Sequence, residues 1–158
     1  SNEDEVVPLA REVEYAKGYL TIQKMRYKDK LEFEIDVEPS ILNIPLIKLV
    51  LQPIIENAIY HGLKYKESKG LLQVKGFMKD GNAVLQVIDN GVGMDEETLS
   101  HIYDKHKVNY HSNGVGVYNV QKRLKLYYGE NYGITYESEK GVGTTATITI
   151  PGIQEESI

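Results

Sequence analysis

The sequence predicts an α+β fold, a two-layer sandwich in which a mixed, mostly antiparallel sheet carries helices on one face. Three observations lead there. Residues 31–37 alternate without a break, Leu31, Phe33, Ile35 and Val37 on one side and Glu32, Glu34 and Asp36 on the other; that period of two marks a half-buried strand. Two pairs of strand-like runs, 71–78 with 83–88 and 133–139 with 144–150, are joined by Asp80-Gly81-Asn82 and by Lys140-Gly141-Val142-Gly143. Turn residues at those positions make each pair an antiparallel hairpin. The intervening stretches have helical spacing, and hairpins rather than strand-helix-strand alternation argue against a doubly wound parallel sheet.

The elements follow in order. Residues 8–29 read as a helix, with Leu9, Val13, Ala16 and Leu20 as its apolar stripe and Tyr15, Tyr19 and Ile22 broadening it. After the strand at 31–37, Pro39 and Pro45 bracket a loop. Residues 46–63 form a second helix, apolar around well over half its circumference through Ile47, Leu49, Val50, Leu51, Ile54, Ile55, Ala58, Ile59 and Leu63, and therefore deeply buried. The first hairpin follows. Asp95, Glu96 and Glu97 suit the N-terminus of a short helix reaching about residue 104. Residues 105–113 lack periodicity, hold two of the four His, and read as a mobile loop. A helix over 115–128 is stopped by Gly129, and the second hairpin is ended by Pro151.

Composition narrows the possibilities. A length of 158 residues suits one domain, and 41% hydrophobic with 26% charged residues is globular rather than disordered. The absence of Cys excludes disulfides and thiolate metal sites. A net charge of −5 is no footprint for nucleic acid or an anionic membrane. No apolar run approaches the ~20 residues that span a bilayer, and no signal peptide opens the chain. The leading Ser1-Asn2 without an initiator Met reads as a piece excised from a longer protein, with residues 1–8 a tag remnant or linker.

Four polar constellations stand out. On the helix over 46–63, Glu56 and Tyr60 lie four apart, as do Asn57 and His61, so the four share one face. That face is either a solvated edge or a polar site at a pocket mouth; unpartnered burial of a carboxylate and an amide would cost several kcal/mol. Asp89-Asn90-Gly91-Val92-Gly93-Met94 follows a strand, and its two glycines allow a backbone to approach a ligand closely. Asn113-Gly114-Val115-Gly116 feeds a helix whose free amides form a phosphate site. It lacks the third glycine of a dinucleotide fingerprint, and no P-loop pattern occurs in the chain. Gly141-Val142-Gly143-Thr144-Thr145 precedes the last strand. His101, His106 and His111, five apart, do not share a helical face, and no serine sits in a nucleophile elbow.

In this order and spacing the four constellations resemble a known family. Residues 51–62, Leu-Gln-Pro-Ile-Ile-Glu-Asn-Ala-Ile-Tyr-His-Gly, resemble the N box of sensor histidine kinases of the LytS/YesM-like class. Residues 89–94 resemble the G1 box, and Gly114 to Asn119, with Arg123-Leu124 and Tyr128-Gly129, the G2 region. Gly143-Thr144-Thr145 resembles the closing Gly-Thr motif, and residues 19–27 the segment preceding the ATPase domain. The likeness runs from about Leu9 to Pro151. It implies the Bergerat-type sandwich shared with gyrase and the heat-shock-90 chaperones, with residues 9–30 linking to a dimerisation and phosphoacceptor region, 31–152 the ATP-binding catalytic domain and 153–158 a tail.

The resemblance also implies roles. Asn57 would ligate the Mg²⁺ bridging the ATP phosphates, Glu56 would be the general base or polarising carboxylate, and Tyr60 and His61 would lie at the phosphates. Asp89 would take the adenine amino group, with Gly91, Gly93 and Met94 closing on the base. Gly114, Val115 and Gly116 would cap the triphosphate, and Thr144 would hold the adenine end. The γ-phosphoryl group would pass to a histidine outside this chain, because none of the four His is followed by Phe as in the family's acceptor motif. The implied partners are that acceptor domain and a response regulator, the implied setting the cytoplasmic side of a membrane-anchored homodimer. Two features depart from the family: Tyr60 stands where a basic residue is common, leaving phosphate neutralisation to Lys64 or Lys105, and neither Phe33 nor Phe77 lies in residues 95–113, the stretch between the two glycine motifs where the family's lid would fall. A nucleotide-binding pseudokinase and a serine kinase of the same fold are the alternatives.

Overall fold

The computed structural model describes residues 5–104 and 114–153; the loop expected at 105–113, with Lys105, His106 and His111, lies outside them. Strand β1 (Val6–Pro8) leads into helix α1 (Leu9–Tyr27), and a 3-10 turn passes the chain to β2 (Leu31–Val37). The Lys24 ammonium closes the end of α1 by donating to the carbonyls of Lys28 and Leu31 at 3.1 and 2.7 Å, where a cation also meets the negative end of the helix dipole. Strand β3 (Pro45–Ile47) follows, then helix α2 (Leu51–Asn57), which continues as a π-helical segment over Ala58–Leu63. The hairpin β4 (Gly70–Lys79) and β5 (Asn82–Asp89), the short helix α3 (Glu96–Ser100), helix α4 (Gly114–Tyr128) and the hairpin β6 (Gly133–Glu139) and β7 (Gly143–Pro151) complete the chain.

The main sheet has the order β2-β4-β5-β7-β6. Only β2 and β4 run parallel, because the segment between them carries α2 across one face; the other pairs are antiparallel. Pleat alternation sends Ala83, Leu85 and Val87 of β5 and Ala146, Ile148 and Ile150 of β7 to the helix side. There they meet Leu20 of α1, Leu51, Ile54 and Ile55 of α2, and Leu124 of α4 in one apolar core. Cross-strand register arranges this face in rows. Leu85, Ile148 and Ile134 form one, Val87, Ala146 and Tyr136 the next, and Asp89, Thr144 and Ser138 the last. The sheet face therefore changes from apolar to polar at one end.

The structure corrects the sequence reading at two places. Tyr15 and Ile22 do not broaden the buried stripe of α1, being 61% and 63% exposed; the stripe instead includes Glu12, which is 5% exposed. The second helix starts at Leu51, not at residue 46. Residues 45–47 pair with β1 as a two-stranded ribbon, and Leu49 turns the chain with a φ of 61°. The N-terminus of α2 has no side-chain cap of its own. The Glu12 carboxylate supplies one, accepting from the Val50 and Leu51 amides at 2.8 and 3.1 Å and from Leu49 at 3.3 Å. From the other side the Arg123 guanidinium of α4 donates to the carbonyls of Lys48 and Leu49. Residues 48–51 are thus a joint held by a carboxylate of α1 and a guanidinium of α4, which satisfies backbone groups that a bare helix start leaves orphaned.

Candidate functional site

At the polar end of the sheet face lies a cavity of about 450 Å³, within the size range of a small-ligand site. Val87, Ala146 and Tyr136 line it from the sheet, with Asp89 and Thr144 from the next row. Asn57, Ala58, His61 and Gly62 line it from the helix over 51–63, and Gly93, Met94, Thr98 and Ile102 from the side. Helix α4, opened by the glycines Gly114 and Gly116, presents Val117.

Asp89 continues the inward parity of Leu85 and Val87, so the pleat delivers a carboxylate to an otherwise apolar face. Burial pushes its pKa up from 3.8 to about 6, against the opposing effect of the Gly91 and Thr144 backbone N–H groups. The Gly91 amide donates to Asp89 Oδ1 at 2.8 Å. Near neutral pH the group is an acceptor-only carboxylate with spare lone pairs and no cation paired to it among the described salt bridges. The group therefore has capacity to accept a further hydrogen bond.

The loop after Asp89 is fixed by backbone contact. Val92 donates to the Gly62 carbonyl at 2.9 Å, Gly141 donates to the Val92 carbonyl at 2.7 Å, and Met94 donates to Ser138 Oγ at 2.8 Å. A Cβ at Gly91 would stand 2.1 Å from the Gly62 carbonyl oxygen, and one at Gly93, where φ is 68°, 2.0 Å from that of Glu139. Both clashes are with backbone, which cannot rotate away. Gly91→Ala is expected to cost at least ~2 kcal/mol in urea unfolding and to separate the loop from the end of the helix over 51–63; a cost under ~0.5 kcal/mol would refute the close approach.

The four residues expected on one helical face divide. Asn57 and His61 line the cavity, while Glu56 and Tyr60 occupy the adjacent row outside it. Successive helical residues point about 100° apart, so the cavity takes one row only. Glu56 accepts from Gln52 Nε2 at 3.1 Å. Tyr60 receives a hydrogen bond from Lys64 Nζ at 3.2 Å and stacks edge-on against the His61 ring at 5.3 Å. Burial lowers the pKa of His61, favouring the neutral imidazole at pH 7. Gly91 stands behind the wall, packed on Gly62.

Several site residues escaped the sequence reading. Ser138 links the motifs: its hydroxyl receives the Met94 amide and lies 2.7 Å from Thr144 Oγ1 and 3.1 Å from the Gly143 carbonyl. Glu97, Thr98, His101 and Asp104 form a rim, with Asp95 capping α3 through Thr98 at 2.8 Å. Strand parity could have found Tyr136 and Ser138, because they share a face with Ile134. Among the described residues no group of three or more His, Asp or Glu could hold a metal ion, and no helix is long and apolar enough to cross a membrane.

Comparison with known proteins agrees with this geometry. Residues 43–154 match the family described as histidine kinase-, DNA gyrase B-, and HSP90-like ATPase. The chain is 31% identical over 147 residues to the sensor histidine kinase YesM of Bacillus subtilis, covering 93% of this chain and 24% of that protein. It is 35% identical over 130 residues to the sensor protein LytS of Oceanobacillus iheyensis, covering 81% of this chain and 22% of that protein. The chain thus spans about a quarter of the length of these relatives. Among solved structures, the catalytic domain of histidine kinase ThkA superposes with a TM-score of 0.69 at 14% identity, covering 94% of this chain and 96% of that one. The mycobacterial sensor histidine kinase MprB gives 0.67 at 20% identity, over 94% and 97%. The sandwich and these matches together place the chain in the histidine kinase-, DNA gyrase B- and HSP90-like ATPase family, as an ATP-binding catalytic domain homologous to those of two-component sensor kinases.

Proposed function

We propose that the cavity binds Mg·ATP and that the chain transfers the γ-phosphoryl group to a histidine of a separate phosphoacceptor domain. The buried Asp89 carboxylate at the end of an apolar cavity carries this reading, since it needs a ligand donor and the adenine 6-amino group is one. Thr144 and the backbone at Gly91, Gly93 and Met94 close around the base. The amides of Gly114, Val115 and Gly116, at the start of α4, face the triphosphate with the positive end of a helix dipole. Asn57 would hold Mg²⁺ through its Oδ1. A single neutral oxygen without a carboxylate cage suits that ion, which keeps several waters and leans on substrate phosphates. When bound, the ion neutralises phosphate charge.

In the transfer, the bond from the γ-phosphorus to the β-γ bridging oxygen breaks and ADP leaves. A bond forms to an imidazole nitrogen, whose proton a carboxylate must hold. Glu56, beside the cavity rather than inside it and hydrogen-bonded by Gln52, is the carboxylate we assign to that proton. Most of the acceleration comes from positioning and charge neutralisation. Residues 31–152 then form the catalytic unit and 9–30 the link to the acceptor domain. A response regulator is the next partner, and the whole protein is a membrane-anchored homodimer with this part in the cytoplasm.

A second reading, a nucleotide-binding pseudokinase, draws on one observation: no Lys or Arg lines the described cavity wall, and Lys64 is engaged with Tyr60. Calorimetric titration with ATP·Mg²⁺ tests the first step. Binding in the micromolar-to-millimolar range is expected, with Asn57→Ala less dependent on Mg²⁺; no binding would sink both readings. Acid-labile label appearing on an added phosphoacceptor domain separates kinase from pseudokinase, and acid-stable label would indicate a serine kinase.

A further inference from the structure

Tyr136 differs from every other residue on the apolar part of the sheet face. Its row neighbours are Val87 and Ala146, and the row beyond is Leu85, Ile148 and Ile134. An apolar side chain would continue the pattern. The Tyr136 hydroxyl is buried and has no hydrogen-bond partner among the described residues, although the ring lines the cavity. Its own ring is held edge-on by Tyr103 at 6.0 Å, and Tyr103 is anchored by donating to the Ile134 carbonyl at 2.7 Å. The hydroxyl is therefore rigidly placed and lacks a partner, which costs free energy in the empty domain unless a ligand supplies one.

The neighbours indicate what the ligand must offer. Asp89, one row away, is an acceptor with no spare proton near neutral pH. Burial, together with the nearby Tyr103 and the Asp89 charge, raises the Tyr136 pKa, so the hydroxyl keeps its proton and remains a donor. The Asn57 side chain interacts with the hydroxyl closely enough to oppose that rise, although the pair does not meet full hydrogen-bond geometry. Asp89 and Tyr136, one row apart with β7 between their strands, put an acceptor and a donor on one cavity and so suit a ligand edge that carries both a donor and an acceptor. The 6-amino group of adenine is flanked by ring nitrogens N1 and N7, each with an in-plane lone pair. Guanine offers a carbonyl where Asp89 needs a donor.

We propose that Tyr136 is a base-contacting and selectivity residue, whose hydroxyl donates to a ring nitrogen flanking the adenine 6-amino group. This rests on the reading of the cavity as an ATP site. A purely structural tyrosine would stabilise the empty domain; a ligand-directed one does not.

The test compares wild type with Tyr136→Phe in two measurements, calorimetric affinity for ATP, 1-deaza-ATP and 7-deaza-ATP, and melting temperature without nucleotide. Loss of one neutral hydrogen bond corresponds to about 3- to 10-fold in affinity. The expected result is that Tyr136→Phe binds ATP ~3- to 10-fold more weakly while melting no lower than wild type. One of the two deaza analogues should weaken wild type by a similar factor and leave Tyr136→Phe indifferent to the change. Equal ATP affinity in the two proteins would overturn the proposal while leaving the ATP site intact. So would an equal loss for the deaza analogues in both proteins. Wild type that binds no ATP would overturn the site and the proposal together.

Discussion

Asp89→Asn is expected to weaken ATP binding at least 30-fold and, at the same time, to make the empty domain more stable. The two effects have one origin. A carboxylate held in an apolar face suits a ligand donor and is costly without one. The folded pKa is raised to about 6 from 3.8, so the folded state keeps this proton to higher pH than the unfolded chain does. Stability from this group is therefore greatest below about pH 4, falls as pH rises through about 6, and stays reduced above it. The displacement corresponds to about 3 kcal/mol at pH 7–8. Urea unfolding of the two proteins between pH 4 and 8 measures it. The mutant should exceed wild type by ~2–3 kcal/mol at pH 8, with the gap closing towards pH 4. ATP affinity of wild type should decline below about pH 6, as the carboxylate takes up a proton and loses part of its accepting capacity. A mutant less stable than wild type at pH 8 would contradict the assignment of Asp89 as a strained acceptor.

Glu12→Ala should have the largest effect on stability. The carboxylate accepts three backbone amides at the start of α2, and alanine leaves the two buried ones, of Val50 and Leu51, with neither protein partner nor ready water. Each orphaned buried donor costs about 1–3 kcal/mol, so a total near 3–5 kcal/mol is expected, a large share of the 5–15 kcal/mol typical of a domain. For a chain of this size that lowers the melting temperature by roughly 6–15 °C. Glu12→Gln keeps one carbonyl oxygen and should recover at least half of the loss. Thermal melting of the three proteins gives the comparison, and Glu12→Ala within ~1 kcal/mol of wild type would mean that the amides find other partners.

Much of the fold was legible because local rules and tertiary demand agree. The alternation at 31–37 became β2 with the same limits, both hairpins formed around the turns that Asp80-Gly81 and Gly141 announce, and Asp95 caps α3. The errors fall where a residue's surroundings come from far along the chain. The apolar run 46–51 is buried whether extended or helical, so periodicity could not place the strand-to-helix change at Leu49. Glu12 looked like a polar residue on a helix because its partners lie 37 to 39 residues away. Asn57 and His61 were found by their spacing. That Glu56 and Tyr60 stand outside the cavity depends on which row the sheet accepts, which no helix reveals by itself. Strand parity puts Tyr136 on the face of Ile134, but that its row is otherwise apolar follows only from the cross-strand register.

The parallel pairing of β2 with β4 has a consequence for assembly. Both hairpins close short loops and need little search, whereas β2 reaches β4 only after residues 38–69 have been gathered into a crossover, an entropic demand that slows folding. That crossover contains the helix bearing Asn57 and His61, so the cavity wall it forms is built between two strands whose paired residues lie far apart in the chain, a range exceeded by the β5–β7 pairing. On the proposed function, a nucleotide that binds only the completed wall would draw the equilibrium towards it by an amount that grows with the logarithm of its concentration.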